Sequence, residues 1–114
     1  MEFGINGTEV AKIYRGETVI GDFVLKDDNG DTVTSIDDAV VLITDLKNKL
    51  DPVVLELGSG VTFNAGAFRF TLSPSVTEAL PAQCGIEVKI TVDGIVRIAM
   101  RDIFNVYDNK VKDY

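Results

Sequence analysis

The sequence predicts an all-β domain, a sandwich of about seven antiparallel strands with one short helical turn. Three observations carry that expectation. Apolar and polar residues alternate along most of the chain. Turn-forming residues interrupt the alternation about every 8–12 residues. Only one short segment has the capping signals of a helix. The 114 residues, 46% hydrophobic and 25% charged, suit one globular domain rather than two or a disordered chain.

The elements follow in order. Residues 1–9 read as an N-terminal extension, 10–107 as the domain and 108–114 as a C-terminal tail. Residues 10–14 open the first strand, closed by Arg15-Gly16. Residues 17–26 form the second, with Val19, Phe23 and Leu25 on one face, ending at Asp27-Asp28-Asn29-Gly30-Asp31. Asn-Gly accepts positive φ at little cost and favours a tight turn there. Residues 39–46 are apolar on both faces, and Lys47-Asn48-Lys49 is a turn. Residues 53–57 follow Pro52, and Gly58-Ser59-Gly60 breaks the strand. Residues 61–63 are short and end at Asn64-Ala65-Gly66. Phe68, Phe70 and Leu72 then alternate with Ala67, Arg69 and Thr71, which marks a half-buried strand with core phenylalanines.

Residues 73–80 are the helical candidate. Ser73 caps, Pro74 suits the first helical position, and Pro81 stops the helix within about two turns. A hairpin closes the domain. Ile86, Val88, Ile90 and Val92 alternate with polar residues, and Asp93-Gly94 is a two-residue turn. The return strand puts Val96, Ile98 and Met100 on one face and Ile95, Arg97 and Arg101 on the other, with a bulge expected near Asp102 before Phe104 and Val106.

Composition excludes several chemistries. There is no His, so neither a Ser-His-Asp nor a Cys-His centre can be assembled within the chain. The lone Cys84 rules out a four-cysteine zinc site and an internal disulfide, and it reads as a reduced, partly buried thiol. Trp is absent, which disfavours a sugar-stacking platform. The net charge of −7 repels phosphate backbones and anionic lipid surfaces, so neither nucleic acid nor membrane is an expected partner. The longest aliphatic run, residues 39–43, is far short of the ~20 residues that span a bilayer. The opening Met1-Glu2-Phe3-Gly4 lacks the basic and apolar regions of a signal peptide, and the chain is expected in a cytosol or in an assembly formed there.

Candidate sites are few. Asp27, Asp28, Asp31, Asp37 and Asp38 cluster, but Gly30 falls at the fourth position of an EF-hand count and no Glu closes it. A solvated turn and a weak cation site are the two readings. The glycine-rich stretches precede no helix and match no phosphate loop. No catalytic, cofactor-binding or metal residues are assigned. The face opposite the core retains Ile20, Val41 or Val40, Ile95 and Ile103. Such apolar members are either incidental or a partner surface. The candidate interface is Ile95, Arg97, Arg101 and Ile103, a mixture of Arg and aliphatic residues common at protein contacts.

The order of elements resembles the N-terminal immunoglobulin-like module of phage baseplate upper proteins and related prophage tail components. The residues that carry the likeness are Ile13-Tyr14-Arg15-Gly16-Glu17-Thr18, the acidic turn Leu25-Lys26-Asp27-Asp28-Asn29-Gly30, and Ser35-Ile36-Asp37-Asp38-Ala39-Val40. Gly66-Ala67-Phe68-Arg69-Phe70-Thr71-Leu72, Thr77-Glu78-Ala79-Leu80-Pro81 and Phe104-Asn105-Val106 continue it. Gly85 is followed by Ile86, where the family usually has Tyr. The resemblance implies an immunoglobulin-like β-sandwich that is not an enzyme. It also implies a structural part of a tail or baseplate that binds other virion proteins or itself, as a homo-oligomer. The alternative is a cell-surface or secreted module that recognises carbohydrate or protein.

Overall fold

Alternation of the kind found at Phe68, Phe70 and Leu72 forces a chain to bury one face of each strand, and the computed structural model, which describes residues 12–108, satisfies it with eight strands. They are β1 (Lys12–Tyr14), β2 (Val19–Val24), β3 (Asp38–Asp45), β4 (Val53–Leu57), β5 (Gly60–Asn64), β6 (Ala67–Leu72), β7 (Gln83–Val92) and β8 (Ile95–Tyr107), with α1 (Pro74–Glu78) between β6 and β7. The extension at 1–9, the expected strand start at Val10 and Ala11, and the tail from 109 to 114 lie outside the described residues.

The all-β expectation is met, and the strands form one continuous ladder in the order β1-β8-β7-β3-β4-β5-β6-β2. All pairings are antiparallel except β1 with β8 and β4 with β5. The break expected at residues 58–60 is met, since β4 ends at Leu57 and β5 begins at Gly60, and it takes the form of a tight corner. Glu56 N–H donates to the Ser59 carbonyl (2.9 Å) and Ser59 N–H returns to the Glu56 carbonyl (2.8 Å), which keeps the two strands neighbours in the ladder. Positive φ at Gly58 and Gly60 lets the backbone turn that tightly.

The order forces the sheet to roll. β1 and β2 are consecutive in the chain yet form its two opposite edges. Laid flat, eight strands would hold those edges about 34 Å apart at ~4.8 Å per spacing. The link from Tyr14 to Val19 reaches at most about 18 Å. The sheet therefore curls until it nearly closes into a barrel.

A cluster of polar contacts holds the closure. Thr77 of α1 is fully buried, and its hydroxyl donates to the Glu17 carbonyl (2.8 Å) and accepts from Gly16 N–H (3.1 Å). Arg15 N–H donates to the Tyr107 carbonyl (2.9 Å), and its side chain reaches the Leu80 carbonyl and the Asp108 carboxylate. α1 begins as expected, with Ser73 Oγ accepting from Val76 N–H and Pro74 in the first turn.

The roll encloses one apolar core. Val41 and Ile43 of β3, Ile86, Val88 and Ile90 of β7, and Phe68, Phe70 and Leu72 of β6 all point inward. Phe104 joins them, as the alternation predicts. Phe23 and Phe68 are cross-strand partners whose rings stack at 4.5 Å. Val41 is fully buried, so Val40 is the outward member of that ambiguous pair.

Three local expectations shift. The second strand ends at Val24 rather than Lys26, because Asp27 gathers the chain into a turn and leaves only a Lys26–Thr32 bridge. The seventh strand begins at Gln83, since Asn105 extends far enough to pair with it. The bulge is not at Asp102, which stays in register opposite Ile86. It lies where Val88 and Lys89 face Met100 and Ile98, so that Ala99 is the extra residue.

Gly21 faces Phe70 across the ladder, and a Cβ there would lie 2.2 Å from the Phe70 ring. The aromatic ring covers the space a side chain would take. Gly21→Ala is expected to destabilise the fold by about 1–3 kcal/mol through overpacking. Urea unfolding checks this, and Phe70→Leu in the same chain should recover part of the loss.

Candidate interaction surface

Directly paired residues of an antiparallel ladder point to the same face, so the register of β7 and β8 sorts every side chain. Cys84, Ile86, Val88 and Ile90 point inward. Gly85, Glu87, Lys89 and Thr91 therefore point outward, and so do their partners Ile103, Arg101, Ile98 and Val96. Ala99 reverses the parity. Ile95 and Arg97 pair with Val92 and Ile90 and fall on the inward side, near the exposed tip of the hairpin.

The structure thus places Arg101 and Ile103 together but sets Ile95 and Arg97 on the opposite face. Val96 and Ile98 take their place. Ile20, half-exposed on β2, belongs to the other half of the roll.

The outer face of β4, β3, β7 and β8 presents Val54 (50% exposed), Ile98 (50%) and Ile103 (60%), with half-buried Val40 and Leu42 between them. Several neighbouring apolar side chains on one sheet face form the kind of patch that marks a contact surface. A groove of about 390 Å³ crosses it, lined by Leu42, Leu46, Gly85, Glu87, Arg101 and Ile103 among others. Gly85 lies on its floor, with Thr44 and Leu46 of the neighbouring segment leaning toward it. A Cβ there would meet Thr44 Oγ1 at 2.9 Å, so the position accepts no larger residue without rearrangement. Arg101 and Glu87 stand beside the groove with Nε and Oε2 3.6 Å apart, an exposed ion pair that contributes little to stability. The groove offers an apolar hollow with one charge of each sign at its rim, which suits an inserted side chain.

The other candidates have structural roles. Asp27 accepts from Asn29 N–H (2.9 Å) and Asp31 N–H (3.0 Å), so its carboxylate builds the turn. Asp37 accepts from Gly94 N–H (3.1 Å) and ties that region to the hairpin tip. Among the described residues no group of three or more His, Cys, Asp or Glu side chains is placed to hold a metal. No helix among them is long and apolar enough to cross a membrane.

Asp45 ends β3 and is buried, a feature the sequence pattern did not single out. Its carboxylate accepts from the N–H groups of Lys47 (2.9 Å), Lys49 (3.1 Å) and Leu50 (3.2 Å). The Lys47 bond chiefly holds its pKa below the ordinary value, against the opposing effect of burial. A depressed carboxylate stabilises the fold above its unfolded pKa near 4 and loses that contribution as pH falls through the lower folded value. Asp45→Asn should therefore be less stable than the parent at neutral pH, with the gap narrowing below about pH 4 in thermal melts.

Cys84 is fully buried opposite Phe104, and its thiol donates to the Pro81 carbonyl (3.4 Å). Burial, then the nearby Asp45 carboxylate, push the thiol up to about 11, while Arg15 opposes the shift. A protonated, enclosed thiol is a poor nucleophile. Iodoacetamide at pH 8 should leave the native chain unmodified and label the urea-unfolded chain. Stability should fall as pH rises above about 8.5, where only the unfolded thiol ionises.

Comparison with known proteins finds no matching family model and no matching curated relative.

Proposed function

We propose that this chain is a non-enzymatic structural module with an immunoglobulin-like fold, built into a phage or prophage tail or baseplate through protein contacts made by its sheet faces or edges. The observation that carries the assembly reading is the outer face of β4, β3, β7 and β8, where Val54 of β4 and Ile98 and Ile103 of β8 stand exposed with half-buried Val40 and Leu42 of β3 between them. A sheet face that only met water would be expected to alternate to polar residues.

Strand order supports the immunoglobulin-like class. Neighbours β3, β7 and β8 correspond to the C, F and G strands, with β4 as the added C′ strand; β2, β6 and β5 correspond to B, E and D. Lacking Trp and a second Cys, the chain forms no internal disulfide, and Phe68, Phe70 and Phe104 fill the enclosed core. The sequence likeness to baseplate modules supports the source, and the acidic charge of −7 speaks for protein partners rather than nucleic acid or membrane. Virion and host cytoplasm are the locations this role requires.

Density-gradient fractionation of lysates from cells carrying the gene, after prophage induction, tests the role. The chain should sediment with tail-sized particles. Recovery only in the free-protein fraction would overturn it.

A further inference from the structure

We infer that the outer face pairs with the same face of a second copy of this chain, each Ile103 entering the hollow over the partner's Gly85. The inference deepens the assembly reading and rests on it.

A closed two-fold contact needs a surface that complements itself. The β7–β8 face has this property at three successive outward couples. Ile103, its most exposed apolar side chain, stands beside Gly85, which has none. Arg101 stands beside Glu87, and Asn105 beside Gln83. A two-fold axis lying in the interface and running along the strands between β7 and β8 lays each β8 over the partner's β7. Every side-by-side couple then becomes a facing couple. The knob of Ile103 meets the partner's Gly85, Arg101 meets the partner's Glu87, and Asn105 meets the partner's Gln83. Strands of the two sheets stay roughly aligned, which is the common way for sheets to pack face to face.

Charge favours the same occupant. Two chains of −7 repel over most of their surfaces. The opposite-charge couple of this face, Arg101 beside Glu87, sets each Arg101 against the partner's Glu87, so two local attractions oppose that repulsion here. The Arg101–Glu87 pair, 3.6 Å apart and too long for a hydrogen bond, leaves donors for a second carboxylate. The overlap centres on two strands, which puts it with small transient interfaces of under about 1,200 Å² and a Kd of about 10 µM to 1 mM.

Sedimentation velocity on the full chain from about 5 µM to 1 mM tests the pairing. The mass should rise from 12.4 kDa toward twice that value. Arg101→Glu and Glu87→Arg should each hold the mass at 12.4 kDa, and the double exchange should restore the rise. Ile103→Asp should abolish association with an unchanged melting curve, since the side chain is exposed. A parent chain that stays monomeric at 1 mM, single exchanges that still dimerise, or a double exchange that does not recover would each overturn the pairing. A monomer that nevertheless sediments with tail particles retires the pairing alone. A dimer absent from those particles retires the tail role and keeps the pairing.

Discussion

The connection from Tyr14 to Val19 governs this molecule. It joins two strands that lie at opposite edges of an eight-stranded ladder, and it is too short to do so unless the sheet rolls. Rolling turns a two-sided surface into an inside and an outside. The inside collects the phenylalanines and branched aliphatics of β3, β6 and β7. Thr77, Arg15 and the Tyr107 carbonyl meet at the closure, where backbone groups of the link would otherwise be buried without partners. The short helix is therefore part of the closure, since Thr77 reaches Gly16 and Glu17 from it.

Closure also decides what remains outside. The edge strands β1 and β2 are drawn toward each other, which limits the open edges that promote uncontrolled association. The broad outer face of β4, β3, β7 and β8 is left as the place where contacts can be specific. Its composition is graded, with Leu42 and Val40 half-buried at the centre and Val54, Ile98 and Ile103 standing clear on either side. Gly85 floors a hollow in it beside the most exposed apolar side chain, so the face combines relief and charge within one short stretch of ladder.

Much of this architecture was legible in the residues. Alternation located β6 and β7, because burial on one side requires a period of two, and turn residues bounded the others. Ser73 and Pro74 located the helix, and Asp93-Gly94 the hairpin turn. Asp45 escaped notice, since its partners are backbone N–H groups of the turn that follows and carry no residue-type signature. The pairing of β4 with β5 was hidden for a similar reason. Gly58 and Gly60 mark the break between them, and only the backbone hydrogen bonds across it show the corner that keeps the two strands side by side.

The residue pattern by itself determined the class, the inward-facing phenylalanines at 68, 70 and 104 and the absence of His-based chemistry, because each depends on residue type and near-neighbour spacing. Tertiary structure alone decided which outward residues stand together. One extra residue, Ala99, reverses the facing of everything between it and the hairpin tip, so Ile95 and Arg97 part from Arg101 and Ile103 while Val96 and Ile98 join them. Facing along a strand is set by pairing with its neighbour, and the register of that pairing is a property of two segments at once.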